Sequence, residues 1–153
     1  MKPKITKQHR SNIATLAKGL MTRRLKTGFR MYRFSTHANP SLVKNRCGTT
    51  CCAAGHGPIL VTPAESWESW HNYTARVFGM YAGDDTGRFG WLFGNRWPAD
   101  KKQFAARAYH YLKTGRFPIN HAFKLVLPVP DPSEFDRWII PAAEKTSPCS
   151  GKA

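Results

Sequence analysis

A mainly α fold is what this chain predicts: one compact domain of about four helices with short extended segments, a small α+β domain being the alternative. Three observations carry that expectation. Apolar residues recur at helical spacing in several stretches. Helix punctuation brackets those stretches, with Pro at starts and Gly at stops. The 11 Pro and 12 Gly residues cut the rest into pieces too short for long strands.

Residues 1–8, which include "MKPKITK", read as a basic, flexible arm. A single globular domain is expected over 9–140, followed by a small, polar, disordered tail over 141–153. The first helix is expected from about His9 to Lys26. Its stripe runs through Ile13, Leu16, Ala17, Leu20 and Arg24, so it is apolar for two turns and then frays, and Gly28 supplies a stop. "FRMYRFS" (29–35) alternates as an extended segment does. Residues 49–57 read as a short buried helix capped by Thr49 or Thr50 and ended by Gly57-Pro58.

"VTPAESW" carries the marks of a helix start. Thr62 is the expected N-cap, Pro63 the first helical residue and Glu65 the closing member of a capping box, with Gly79 ending the helix. "FGWLFGNRW" reads as a short aromatic segment. The clearest helix begins at Pro98 and ends at Gly115, with a core stripe of Phe104, Ala108, Tyr111 and Leu112. "AFKLVLPVP" is expected to be extended, and "DPSEFDRWII" to add a helical turn or two. Trp67, Trp70, Trp91 and Trp97 are expected in the core.

Charge is distributed unevenly. The formal net charge is +15, yet residues 1–46 hold twelve Lys or Arg and no acid, while the other 107 residues hold twelve against nine, or +3. A concentrated positive field is the usual footprint of a polyanion, nucleic acid before an anionic membrane surface. The plain alternative is a solvated, solubilising face. The candidate nucleic-acid contacts are Arg10, Lys18, Arg23, Arg24, Lys26, Arg30, Tyr32, Arg33, Lys44 and Arg46. Around residue 32, rings interleave with cations as in single-strand binders, although those rings also suit a core. A second basic set, Lys101, Lys102, Arg107, Lys113 and Arg116, is scattered by its spacing and reads as an ordinary solvated face. Asp84 and Asp85 read as turn residues.

"NRCGTTCCAAGHGPIL" (45–60) holds three of the four cysteines. Cys47, Cys52 and His56 could ligate zinc, with Cys52 and His56 at i and i+4 on one helix face and a fourth ligand from His71, His110 or His121. No second Cys pair lies in the body of the chain, so the usual structural-zinc spacing is incomplete. A phosphatase-type loop needs Arg six positions after Cys47, where Ala53 stands, so no catalytic residue and no enzyme activity are expected. The remaining reading is a close-packed run of small residues, with thiols reduced. No cofactor is expected unless zinc binds.

The pieces "HRSNIATLAKGL", "FRMYRFS", "CGTTCCAAGHGP", "ESWESWHNYTARVFG", "WLFGNRW" and "AARAYHYLKTGRFP" together resemble a family of small uncharacterised proteins encoded by tailed phages, prophages and some bacteria, marked by a CGTxxCxxGH motif. The resemblance spans residues 9–118 and implies a phage-type accessory protein, with host takeover or anti-defence as fitting roles. It carries over no catalytic residue. The expected function is therefore binding of nucleic acid or a nucleoprotein complex through the acid-free N-terminal third. The alternatives are a zinc or thiol site at residues 47–56, and a non-catalytic virion-associated or host-factor-binding module. No run of 18 apolar residues and no secretory leader pattern are visible, so the cytoplasm of a host bacterial cell is the expected location. The sequence leaves the oligomeric state open.

Overall fold

The computed structural model describes residues 4–22, 28–29, 50–51, 53–80, 88–93, 101–116 and 127–141. Those residues are mainly helical. Helix α1 runs Lys7–Thr22, α2 Gly57–Leu60, α3 Trp70–Phe78, α4 Arg88–Phe93 and α5 Lys101–Thr114. Single 3-10 segments cover Ala54–His56 and Pro132–Arg137. Extended pairing among the described residues is confined to β1 (Gly28–Phe29) and β2 (Thr50–Cys51). They run parallel, with Gly28 opposite Thr50 and Phe29 opposite Cys51.

Helix α1 is the centre of the packing and lies against α5, the 132–137 segment, α3 and α2. Its predicted stripe is what it buries: Ile13, Leu16, Ala17 and Leu20 are all fully inaccessible. Its start is fixed by a reciprocal pair in which Thr6 Oγ1 accepts from the His9 amide at 3.1 Å and His9 Nδ1 accepts from the Thr6 amide at 3.2 Å. This is the geometry of a capping box, with an imidazole in the acceptor role usually taken by Glu or Gln. The helix thus begins at Lys7.

Helix α5 buries Phe104, Ala105, Ala106, Ala108, Tyr111 and Leu112, which include the whole predicted stripe, and Gly115 follows with φ +70°. Alanines on both α1 and α5 allow the two helices to approach closely. A chain of rings then ties α3 to α4 and α5. Tyr73 meets Phe78 at 6.1 Å, Phe78 meets Phe93 at 5.4 Å, and Phe93 stacks on Phe104 at 5.8 Å. Burying each such ring contributes about 1.5–3 kcal/mol, so this aromatic spine is a major part of the core.

Several elements differ from the sequence expectation. The segment 88–93 is a short helix, and it buries Trp91, Leu92 and Phe93. The helix expected from Pro63 begins only at Trp70, with Ser69 as its N-cap, its Oγ accepting from the Asn72 amide at 3.2 Å. The local capping signal at 62–65 loses to two longer-range bonds and one to Glu68, three residues on. The Thr62 carbonyl accepts from the Tyr73 hydroxyl, the Pro63 carbonyl from Arg76, and the Glu65 amide donates to Glu68. Trp67 is left 68% exposed, against the expectation that it joins the core, whereas Trp70 and Trp91 do so. Trp97 lies outside the described residues.

Residues 49–57 do not form one helix either. Thr50–Cys51 are extended, and the 3-10 segment Ala54–His56 runs directly into α2. Gly57-Pro58 therefore continues the helical path, because Pro in a first turn lacks only an amide that has no intrahelical partner. The close packing expected there does hold, with Ala53, Ala54, Gly55, His56 and Gly57 buried. A Cβ on Gly57 would lie 2.8 Å from the Tyr73 ring.

Candidate nucleic-acid interface

The amino-terminal half of α1 is polar on one side, and its side chains cap other helices. Because His9 Nδ1 accepts from Thr6, Nε2 carries the ring proton and donates to the Arg76 carbonyl at 3.0 Å. Asn12 Nδ2 donates to the Val77 carbonyl at 2.7 Å. Together they satisfy carbonyls at the end of α3 that have no intrahelical donor. Arg10 does the same for α5, where its guanidinium donates to the Leu112 carbonyl. A cation at a helix C-terminus is favoured by the helix dipole as well.

Arg10 is thus a half-buried structural contact as well as a member of the predicted basic set. Lys18 Nζ pairs with Asp136 Oδ1 at 2.5 Å across 118 residues, with the side chains 36% and 56% exposed. It stands at the edge of a shallow cleft of about 180 Å³ walled by Thr15, Gly19, Thr22, Leu60 and Ile139. Lys4 and Lys7 are exposed at the amino-terminal end. Arg23, Arg24, Lys26, Arg30, Tyr32, Arg33, Lys44 and Arg46 lie outside the described residues, as do Cys47, Cys52, Asp84 and Asp85.

His56 is 1% exposed within its 3-10 segment. His56 ends a 3-10 segment whose N-cap, Ala53, is already in the right-handed helical region; Cys47 and Cys52, its proposed zinc partners, lie outside the described residues. Among the described residues no group of three or more His, Cys, Asp or Glu side chains comes together to hold a metal ion.

The second basic set divides. Lys102, Lys113 and Arg116 are exposed as expected, but Arg107 is 1% exposed. Its Nε donates to the Trp91 carbonyl at 2.9 Å, and Trp91 Nε1 donates to the Arg107 carbonyl at 3.2 Å, so the pair joins α4 to α5. A second buried charge, Glu68, is fully inaccessible and is held by Arg76 through Nε and Nη2, both at 2.7 Å. The Arg76 guanidinium keeps the Glu68 carboxyl below its ordinary value of 4.5 despite burial. Burial raises the Tyr73 phenol far above its ordinary range, so the hydroxyl stays a donor to Thr62.

A cluster that sequence spacing did not reveal forms where α5 meets the 132–137 segment. Arg137 lies 4.7 Å over the Trp138 ring and 5.8 Å from the Tyr109 centroid, and donates to the Tyr109 hydroxyl at 3.3 Å. Lys113 Nζ sits 5.7 Å from the same Tyr109 ring. The only available signal was the 109/113 spacing of i and i+4, which says nothing of residues 137 and 138.

No helix among the described residues is long and apolar enough to cross a membrane. Comparison with protein-family models, curated proteins and solved structures finds no match to this chain.

Proposed function

We propose that this chain is a small basic accessory protein of phage type that binds nucleic acid or a nucleoprotein complex. The observation that carries the reading is the run of 46 residues with twelve Lys or Arg and no acid. Such a segment draws a polyanion by releasing condensed counterions, which requires density of charge and no particular fold. The phage-type accessory role is part of the same proposal and rests on the likeness of residues 9–118 to phage-encoded proteins expected from the sequence.

Arg10 and Lys18 have partners inside the fold, so the proposal assigns the external load to Arg23, Arg24, Lys26, Arg30, Arg33, Lys44 and Arg46, and base stacking to Tyr32. The test is affinity for duplex DNA and for RNA across a salt series. Affinity falls as salt rises, with a log–log slope of about −0.9 per phosphate neutralised on duplex DNA. Replacing Arg23, Arg24, Arg30 and Arg33 together by Ala weakens binding and flattens that slope. No binding at low salt, or binding indifferent to salt, overturns the proposal.

A further inference from the structure

Resting on the nucleic-acid reading, we infer that Trp138, Arg137, Tyr109 and Lys113 form a second contact surface, one that takes unpaired bases of a single strand. The surface is far in sequence from the acid-free segment and differs from it in chemistry. The N-terminal third offers cations in high density. This cluster offers two rings and two cations in fixed positions.

The positions are fixed from beneath. Phe135 is fully buried and meets Tyr109 edge-on at 5.9 Å and Trp138 at 6.4 Å. Tyr109 and Trp138 meet edge-on at 5.7 Å. Asp131 caps the 132–137 segment, its Oδ1 accepting from the Ser133 amide at 3.0 Å and the Ser133 hydroxyl at 2.8 Å. The Ile140 amide donates to the buried Ser11 Oγ at 2.9 Å, which ties the segment's far end to α1. Above this base the rings stay half-exposed, and Lys113 and Arg137 are exposed.

The arrangement suits a strand with splayed bases. The guanidinium over the indole covers that ring face, so a base stacks on the outer side of the guanidinium in a ring–cation–base sandwich, and Lys113 nearby meets a phosphate. Because the rings are already ordered, little rotamer freedom is lost on binding. Duplex DNA hides its base faces and has no use for such a platform. The segment's acids oppose this charge: Asp131, Glu134 and Asp136 are all exposed, Asp136 being paired with Lys18, so the platform's pull on a strand comes from stacking more than from net charge.

The experiment compares an oligothymidine of about 16 nucleotides with a duplex of equal length, for the full chain and three variants. Trp138→Ala weakens single-strand binding about five- to a hundredfold and leaves duplex binding unchanged. Trp138→Phe, which keeps a ring over Phe135, recovers most of the affinity. Arg137→Gln removes one cation without touching the core and lowers the single-strand salt slope by about 0.7. Thermal melting of each variant separates loss of contact from loss of fold. If the parent binds the single strand and both Trp138→Ala and Arg137→Gln, folded, bind it equally well, the platform is overturned while the N-terminal reading stands. If the parent binds neither oligonucleotide at low salt, both fall.

Discussion

Helices α1 and α5 both carry basic residues, and the fold uses them in opposite ways to what their spacing suggests. On α1, Arg10 and Lys18 belong to the acid-free segment, yet Arg10 caps α5 and Lys18 pairs with Asp136. On α5, the scattered set expected to be merely solvated sends Arg107 into the core and places Lys113 against the Tyr109 ring. Charge density tells where a field originates. It does not tell which cations are already engaged by the protein's own carbonyls and carboxylates.

The sharpest way to break this comparison is to strip cations from α5 one at a time. Arg107→Ala leaves a void beside Trp91 and costs about 3 kcal/mol, whereas Lys102→Ala changes stability by no more than about 0.5 kcal/mol. Urea unfolding measures both; equal losses would mean that Arg107 is not the buried anchor between α4 and α5.

A next contrast sets the ends of α3 and α5 against each other. Gly79 and Gly115 both have φ +70°, but a Cβ on Gly79 would lie 2.6 Å from His9 Nδ1, while one on Gly115 meets nothing within 4 Å. Ala at Gly115 costs about 1 kcal/mol, the left-handed backbone alone, and Ala at Gly79 costs at least about 2 kcal/mol because the α1 contact must open too. Thermal unfolding of the two variants reads the difference.

Glu68 tests the α3 side through pH. Its folded pKa is lowered, so its contribution is fully present above the ordinary value of 4.5 and is lost as pH falls through the folded value. Glu68→Gln is less stable by about 1–2 kcal/mol at neutral pH, Arg76 being partly hydrated, and the gap closes in acid. A gap that stays constant with pH would show that the ion pair contributes nothing.

The smallest effect belongs to the exposed pair. Lys18→Ala shifts stability by less than about 0.5 kcal/mol, and that shift disappears in high salt. A larger loss would show that the Lys18–Asp136 pair holds α1 to the 132–137 segment.

What the sequence determined by itself is what local rules control. The buried stripe of α1, the stripe of α5, the Gly stops at 79 and 115 and the mainly helical class follow from periodicity and backbone chemistry within a few turns. The small residues at 53–57 were legible as close packing, but their path was not, because pairing of Thr50–Cys51 with Gly28–Phe29 depends on a distant segment. Tertiary structure alone decided the late start of α3, the exposure of Trp67, the burial of Arg107 and the meeting of Tyr109 with Arg137. Each depends on partners that periodicity cannot see: Arg10 reaches a carbonyl 102 residues away, Lys18 a carboxylate 118 away and Arg107 a carbonyl 16 away. A long, flexible cation has no helical signature of its own, so its place is set by whichever unsatisfied oxygen the fold brings within reach.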